Sequence, residues 1–153
     1  QYSTLGEVKE YELDLAENLL EVECNILIPA ALGGVITEKN FHKIKADFII
    51  EGANQPITLE ADILLREKGI TIVPDILANS GGVMGSYFEW TQNIQQFSWG
   101  IEKFRKELDS RMNKSFNEVQ KSAKKYKVDF RTASYILAVQ RVAEAFVSRG
   151  SLV

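Results

Sequence analysis

The sequence predicts an α/β fold: an incomplete parallel sheet of about three strands followed by three long C-terminal helices. Three observations carry this. Asn25-Ile26-Leu27-Ile28, Asp47-Phe48-Ile49-Ile50 and Ile70-Thr71-Ile72-Val73 are short, apolar and non-alternating, and their starts lie about 22 residues apart. Such runs suit strands covered on both faces. Helical patterns separate them, and strand–helix alternation of this kind builds parallel sheets. After Asp75 the apolar residues recur only at spacings of three and four, and no fourth strand is expected.

In chain order, Leu13, Ala16, Leu19 and Leu20 predict an amphipathic helix ahead of the first strand. Thr37 is placed to cap a helix through Lys45, between the first and second strands. Thr58 is placed to cap the next, with Leu59, Ile63 and Leu64 on its apolar side and Gly69 as its stop. Beyond Asp75 come three long helices. The first carries Val83, Tyr87, Trp90, Ile94 and Phe97; the second carries Ile101, Phe104, Leu108, Met112, Phe116, Val119, Ala123 and Tyr126. The third carries Ala133, Ile136, Val139, Ala143 and Phe146, with Asp129 as N-cap and Gly150 as stop. All three stripes are expected to be core packing.

Composition narrows the chemistry. A chain of 153 residues is long enough to bury a core without a staple. One cysteine, Cys24, excludes an internal disulfide framework, and one histidine, His42, excludes a site needing two. Cys24 is expected to be buried rather than reactive, and His42 exposed. None of the ten glycines is followed by another two residues on, so the chain holds no G-x-G-x-x-G. Residues 1–100 hold 6 Lys and Arg against 15 Asp and Glu, a net charge of −9; residues 101–153 hold 12 against 6, a net of +6. Acids interleave with the bases, and Lys121, Lys124, Lys125 and Lys127 sit at a helix end, so a solvated helical face is expected rather than a nucleic-acid surface. No apolar run approaches the ~20 residues of a membrane span. The chain begins with Gln1 and not with Met, which is expected of a piece cut from a longer polypeptide.

Ligands of parallel α/β sheets bind beyond the C-terminal ends of the strands. Here those ends are Pro29-Ala30-Ala31-Leu32-Gly33-Gly34, Glu51-Gly52-Ala53-Asn54-Gln55-Pro56 and Pro74-Asp75-Ile76-Leu77-Ala78-Asn79-Ser80-Gly81-Gly82. Small residues let a flat ligand approach the backbone. Asn54 and Asn79 each offer a donor and an acceptor, suited to a carboxamide or a ribose hydroxyl, although each is equally at home as a turn or cap residue. Ser86 is placed either to bind a ligand carboxylate or to bond back to its own helix. Val83, one turn earlier, offers an apolar wall. No nucleophile–base pair is evident, so the residues alone describe half of a dinucleotide-type site.

Residues 25–150 closely resemble the Rossmann-like nucleotide-binding domain of the glutamate dehydrogenases. The resemblance is carried by Asn25-Ile26-Leu27-Ile28-Pro29-Ala30-Ala31-Leu32, Glu51-Gly52-Ala53-Asn54, Pro74-Asp75-Ile76-Leu77-Ala78-Asn79-Ser80-Gly81-Gly82-Val83 and Ser86-Tyr87-Phe88-Glu89-Trp90, and by Arg131-Thr132-Ala133-Ser134-Tyr135 near the end. It implies that Ala30 and Ala31 line a bound NAD or NADP, that Asn54 contacts the nicotinamide riboside and that Asn79 meets the carboxamide. Ser86 would bind the side-chain carboxylate of glutamate, with Val83 against its methylenes. The aromatic stretch after Ser86 favours the glutamate branch over the leucine, phenylalanine and valine dehydrogenases.

The resemblance also implies what these residues lack. The family's substrate domain, with its catalytic lysine and aspartate, and its Gly-rich fingerprint match nothing within residues 1–153. The chain is therefore expected to be a partial NAD(P)-binding domain with C-terminal helices, holding no catalytic residue and no metal site, and inactive alone. The parent is expected to be a cytoplasmic or mitochondrial homohexamer that interconverts glutamate and 2-oxoglutarate. The alternatives are a non-catalytic nucleotide-binding or assembly fragment and a relative acting on branched-chain or aromatic amino acids. Met84-Gly85 stands where the family usually has Thr and a β-branched residue, and Gly85 costs its helix about 1 kcal/mol relative to Ala.

Overall fold

The computed structural model describes residues 16–150. It divides into two compact units, residues 1–71 and 72–153. In the first, β1 (Ile26–Leu27) and β2 (Phe48–Ile50) pair in parallel, Ile26 opposite Phe48 and Leu27 opposite Ile49. β3 (Thr71–Val73) follows in a sheet of order β1-β2-β3, and the Thr71 N–H donates to the Asp47 carbonyl at 3.0 Å. All three strands arise where the apolar runs predict them, each one or two residues shorter.

The connections are less helical than the pattern implies. Residues 16–21 form a 3₁₀ helix, not an amphipathic α-helix, and Leu13 lies outside the described residues. The helix expected from Thr37 to Lys45 is reduced to a 3₁₀ turn at Phe41–Lys43. A turn does open at Thr37, whose carbonyl accepts the Phe41 N–H at 2.9 Å and whose own N–H bonds the Asn40 side-chain oxygen at 2.7 Å. Asn40 then leaves helical geometry, at φ −125° and ψ −6°, with its amide bonded back to the Val35 carbonyl at 2.8 Å. Cys24 is half-buried rather than buried, and His42 is exposed as expected.

α1 (Leu59–Glu67) starts and stops as its caps dictate. The Thr58 hydroxyl accepts from the Ala61 N–H at 3.3 Å, and Gly69 follows with a φ of +88°. Its buried face, however, is Ala61, Asp62 and Leu65; Leu59 and Ile63 are exposed. Asp62 is 1% exposed and its carboxylate takes the Arg66 guanidinium at 2.9 Å. Ala61 and Leu65 are fully buried, as are Ile36 and Ile49, with Ile57 and Ile70 also buried in this unit.

The second unit is helical. A short α2 (Asp75–Ala78), not foreseen, precedes α3 (Ser80–Gln95), α4 (Ile101–Tyr126) and α5 (Phe130–Ser148). Leu77, Val119 and Ala133 form its core, with Val73, Ala123, Val128, Phe130 and Leu137 around them. Asp129 caps α5 by accepting the Thr132 N–H at 3.0 Å, and Gly150, at a φ of +70°, ends it, both as expected. Lys121, Lys124, Lys125 and Lys127 are exposed.

The α3 stripe corrects the expectation most clearly. Val83, Tyr87, Trp90, Ile94 and Phe97 are 52–75% exposed, whereas Phe88 is 1% exposed. The packed face is Gly81, Gly85 and Phe88, again at helical spacing but on the opposite side. A Cβ at Gly81 would sit 3.7 Å from the Met112 sulfur, and one at Gly85 would sit 3.4 Å from the Phe104 ring. Both are ordinary contacts, so α4 approaches a face of small residues that adds nothing to an apolar pattern. On α4 the stripe packs as expected through Phe104, Met112, Val119 and Ala123, with Ile101, Phe116 and Tyr126 exposed; on α5 Ala133 is buried, and Val139 and Phe146 are exposed.

Candidate functional site

In the first unit the chain ends two parallel strands with tightly connected loops. The Ala53 N–H donates to the Pro29 carbonyl at 2.9 Å, and the Gly34 N–H donates to the Gln55 carbonyl at 2.8 Å. Ile36 and Ile57 then form a parallel bridge, so both loops are closed at either end. Gln55 takes a left-handed φ of 48°, which turns the chain directly after Asn54. Ala30, Ala31 and Asn54 are exposed. The structure therefore brings Ala30 and Asn54 onto adjacent, hydrogen-bonded loops. These surfaces are small, polar at one point and open to a ligand.

In the second unit Asn79 is both the C-cap of α2 and the N-cap of α3. Its N–H donates to the Asp75 carbonyl at 3.0 Å and its carbonyl accepts the Gly82 N–H at 3.1 Å. The start of α3 thus follows directly on a preceding turn that engages the Gly82 N–H. Asn79 and Val83 line one open cavity of about 660 Å³, together with Ile76, Tyr87 and Arg111.

Ser86 lies outside the lining of that cavity and is exposed. Its hydroxyl donates to the Gly82 carbonyl at 3.2 Å, which is the back-bonded alternative of the two that its position allowed. Tyr87, one turn beyond Val83, shares its face by helical spacing, although that stripe is the one expected to be core packing. Arg111 had no such signal, because only the packing of α4 beside α3 brings it there. A separate, wholly apolar groove of about 440 Å³ runs along α5, lined by Tyr135, Val139, Val142 and Phe146.

Electrostatics add little acid–base chemistry. Among the described residues no cluster of three or more His, Cys, Asp or Glu is placed to hold a metal ion. No helix among them is long and apolar enough to cross a membrane. Tyr126, far along α4 from the cavity residues, has its phenol held below the ordinary 10.0 by hydrogen bonds from the Lys125 and Gln140 side chains and by the Lys125 charge.

The profile of the glutamate/leucine/phenylalanine/valine dehydrogenases matches residues 2–150. The glutamate dehydrogenase of Thermotoga maritima is 53% identical over 134 residues, which are 88% of this chain and 32% of that protein. The chain therefore spans about a third of the length of that relative. Among solved structures, the glutamate dehydrogenase of Peptoniphilus asaccharolyticus is 40% identical with a TM-score of 0.76, over 80% of this chain and 31% of that one. The hetero-hexameric glutamate dehydrogenase of Thermus thermophilus in its Leu-bound form is 31% identical with a TM-score of 0.86, over 94% of this chain and 35% of that one.

Proposed function

The chain belongs to the glutamate/leucine/phenylalanine/valine dehydrogenase family, and from that premise we propose that it forms the nicotinamide-side half of the dinucleotide site of a glutamate dehydrogenase. The parent reaction is the reversible oxidative deamination of glutamate to 2-oxoglutarate and ammonium. The observation that carries this reading is the shared cavity wall of Asn79 and Val83 at the helix junction beyond β3. A relative named glutamate dehydrogenase, 53% identical, favours glutamate over the branched-chain and aromatic substrates of the wider family.

The residues fit a nicotinamide cofactor, NAD or NADP. Ala30 and Ala31 present exposed methyl groups that a flat ring can approach, and Asn54 is exposed beside them. In this reading Asn54 bonds the nicotinamide ribose, and Asn79 offers its side chain to the carboxamide. Bound there, the cofactor supplies the hydride acceptor. Val83, 75% exposed, packs against the methylenes of glutamate. Ser86 binds the substrate's side-chain carboxylate by rotating its hydroxyl away from Gly82, because its one proton serves one acceptor at a time.

These residues bind and orient; none of them moves a proton. The groups that do so, and the Gly-rich turn for the pyrophosphate, belong to parts of the family pattern that residues 1–153 do not match. The parent is a cytoplasmic hexamer in this reading. The 153-residue chain by itself is expected to give no reduced cofactor from glutamate and NAD(P), as followed by absorbance. Its nicotinamide half is tested by titrating the ¹⁵N-labelled chain with nicotinamide mononucleotide and, separately, with AMP. The amides of Ala30, Ala31, Asn54 and Asn79 are expected to shift with the first and not with the second. Equal response to both, or response elsewhere, refutes the reading.

A further inference from the structure

We propose that Gly52 is a positioning residue for the cofactor: its bare Cα sets the separation of the two strand-end loops that carry Ala30 and Asn54. The inference rests on the functional reading above and adds a residue to it. A Cβ built on Gly52 would lie 2.9 Å from the Ala30 Cβ, 3.3 Å from the Ala30 Cα and 3.5 Å from the Ile28 Cγ2. The first distance is well inside van der Waals contact. Ala30 cannot relieve it by a rotamer change, since its Cβ is fixed to the backbone, so the loop itself must move.

Space, not conformation, demands the glycine. Gly52 is not among the positive-φ residues, so its backbone is open to any side chain. The same approach is held from the other side by the Ala53 N–H, which bonds the Pro29 carbonyl at 2.9 Å. Gly52 sits between Glu51, fully buried at the end of β2, and the exposed Asn54. A side chain here would wedge the Pro29–Ala30 loop away from the Ala53–Asn54 loop. It would break that bond and separate the two surfaces that contact one ligand.

The test uses the 153-residue chain as wild type, Gly52→Ala and the double variant Ala30→Gly/Gly52→Ala. Removing the Ala30 Cβ restores room for the new methyl and keeps position 30 small. Two quantities are read: hydrogen exchange at the Ala53 amide, and affinity for nicotinamide mononucleotide from amide shifts. Gly52→Ala is expected to speed Ala53 exchange and to weaken binding, each by about tenfold, and the double variant to recover the exchange. Unchanged exchange and binding in Gly52→Ala overturns the role of Gly52, as does faster exchange that the double variant fails to recover. Should Gly52→Ala not fold, the double variant must fold with wild-type exchange at Ala53, or the inference fails. A wild-type chain that ignores the mononucleotide overturns the functional reading instead, and the cofactor role of Gly52 with it.

Discussion

Phe88 of α3 and Phe104 of α4 meet edge to face, their ring centroids 5.6 Å apart and their planes at 88°. Trp99 closes the cluster with its ring 5.3 Å from that of Phe88, and the Arg111 guanidinium lies 5.4 Å over the same ring. Phe88 is 1% exposed, one residue from Tyr87 at 52% and two from Trp90 at 59%. Phe88→Ala is therefore expected to cost about 3–5 kcal/mol of unfolding free energy. Trp90→Ser is expected to stay within about 0.5 kcal/mol of wild type. Urea unfolding measures both; equal losses would place the α3 core on the wrong face.

Gly85→Ala tests the same interface from the glycine side. The added Cβ would meet the Phe104 ring at 3.4 Å, an ordinary contact, in the interior of a sixteen-residue helix. The helix gains propensity without a clash, so stability should rise by about 0.5–1 kcal/mol. A lower melting temperature would show the α3–α4 approach to be tighter than this contact.

Asp129 holds the start of α5 through two bonds to Thr132, one from its N–H at 3.0 Å and one from its hydroxyl at 2.8 Å. Asp129→Ala should cost about 1 kcal/mol, and Asp129→Asn or Asp129→Ser should recover most of it, as expected of an N-cap. Chemical denaturation of the three variants reads the ranking.

Tyr126 provides a pH signature. Lys125 favours the phenolate, so in the folded chain Tyr126 titrates below 10.0, and Lys125→Ala should return it upward. The phenolate is preferred in the folded state, so this pairing adds stability above the unfolded phenol value and loses it as pH falls through the folded one. The difference between the ultraviolet phenolate titrations of the wild type and Tyr126→Phe isolates this residue among the chain's five tyrosines. A titration that Lys125→Ala leaves unchanged would remove Lys125 as the cause.

The elements that were legible in the sequence are those fixed by local chemistry. Thr58 with Gly69, and Asp129 with Gly150, bound their helices because a cap needs only a hydroxyl or carboxylate three residues from an N–H and a glycine free to turn left-handed. The helix expected from Thr37 ends after a turn, where Asn40 leaves helical geometry and Ile44 becomes extended. Among the candidate site residues, the strand-end position of Ala30, Ala31, Asn54 and Asn79 followed from strand spacing alone. The state of Ser86 did not, because one hydroxyl has two satisfactory partners and only its rotamer selects Gly82.

By itself the sequence determined the strand positions, the caps, the missing glycine fingerprint and, through its motifs, the family. It marked the packed face of α4, through Phe104, Met112 and Val119, but not that of α1 or α3. Apolar periodicity marks a face that avoids water, but burial depends on what another element can approach most closely. On α3 that was the face of Gly81 and Gly85, and on α1 the face of Ala61 and Leu65, while Val83, Trp90, Leu59 and Ile63 stayed exposed. Nor could the sequence bring Arg111 to the wall shared by Asn79 and Val83, or set Gly52 against Ala30. Those are distances between chain segments far apart in number, and only the packed fold assigns them.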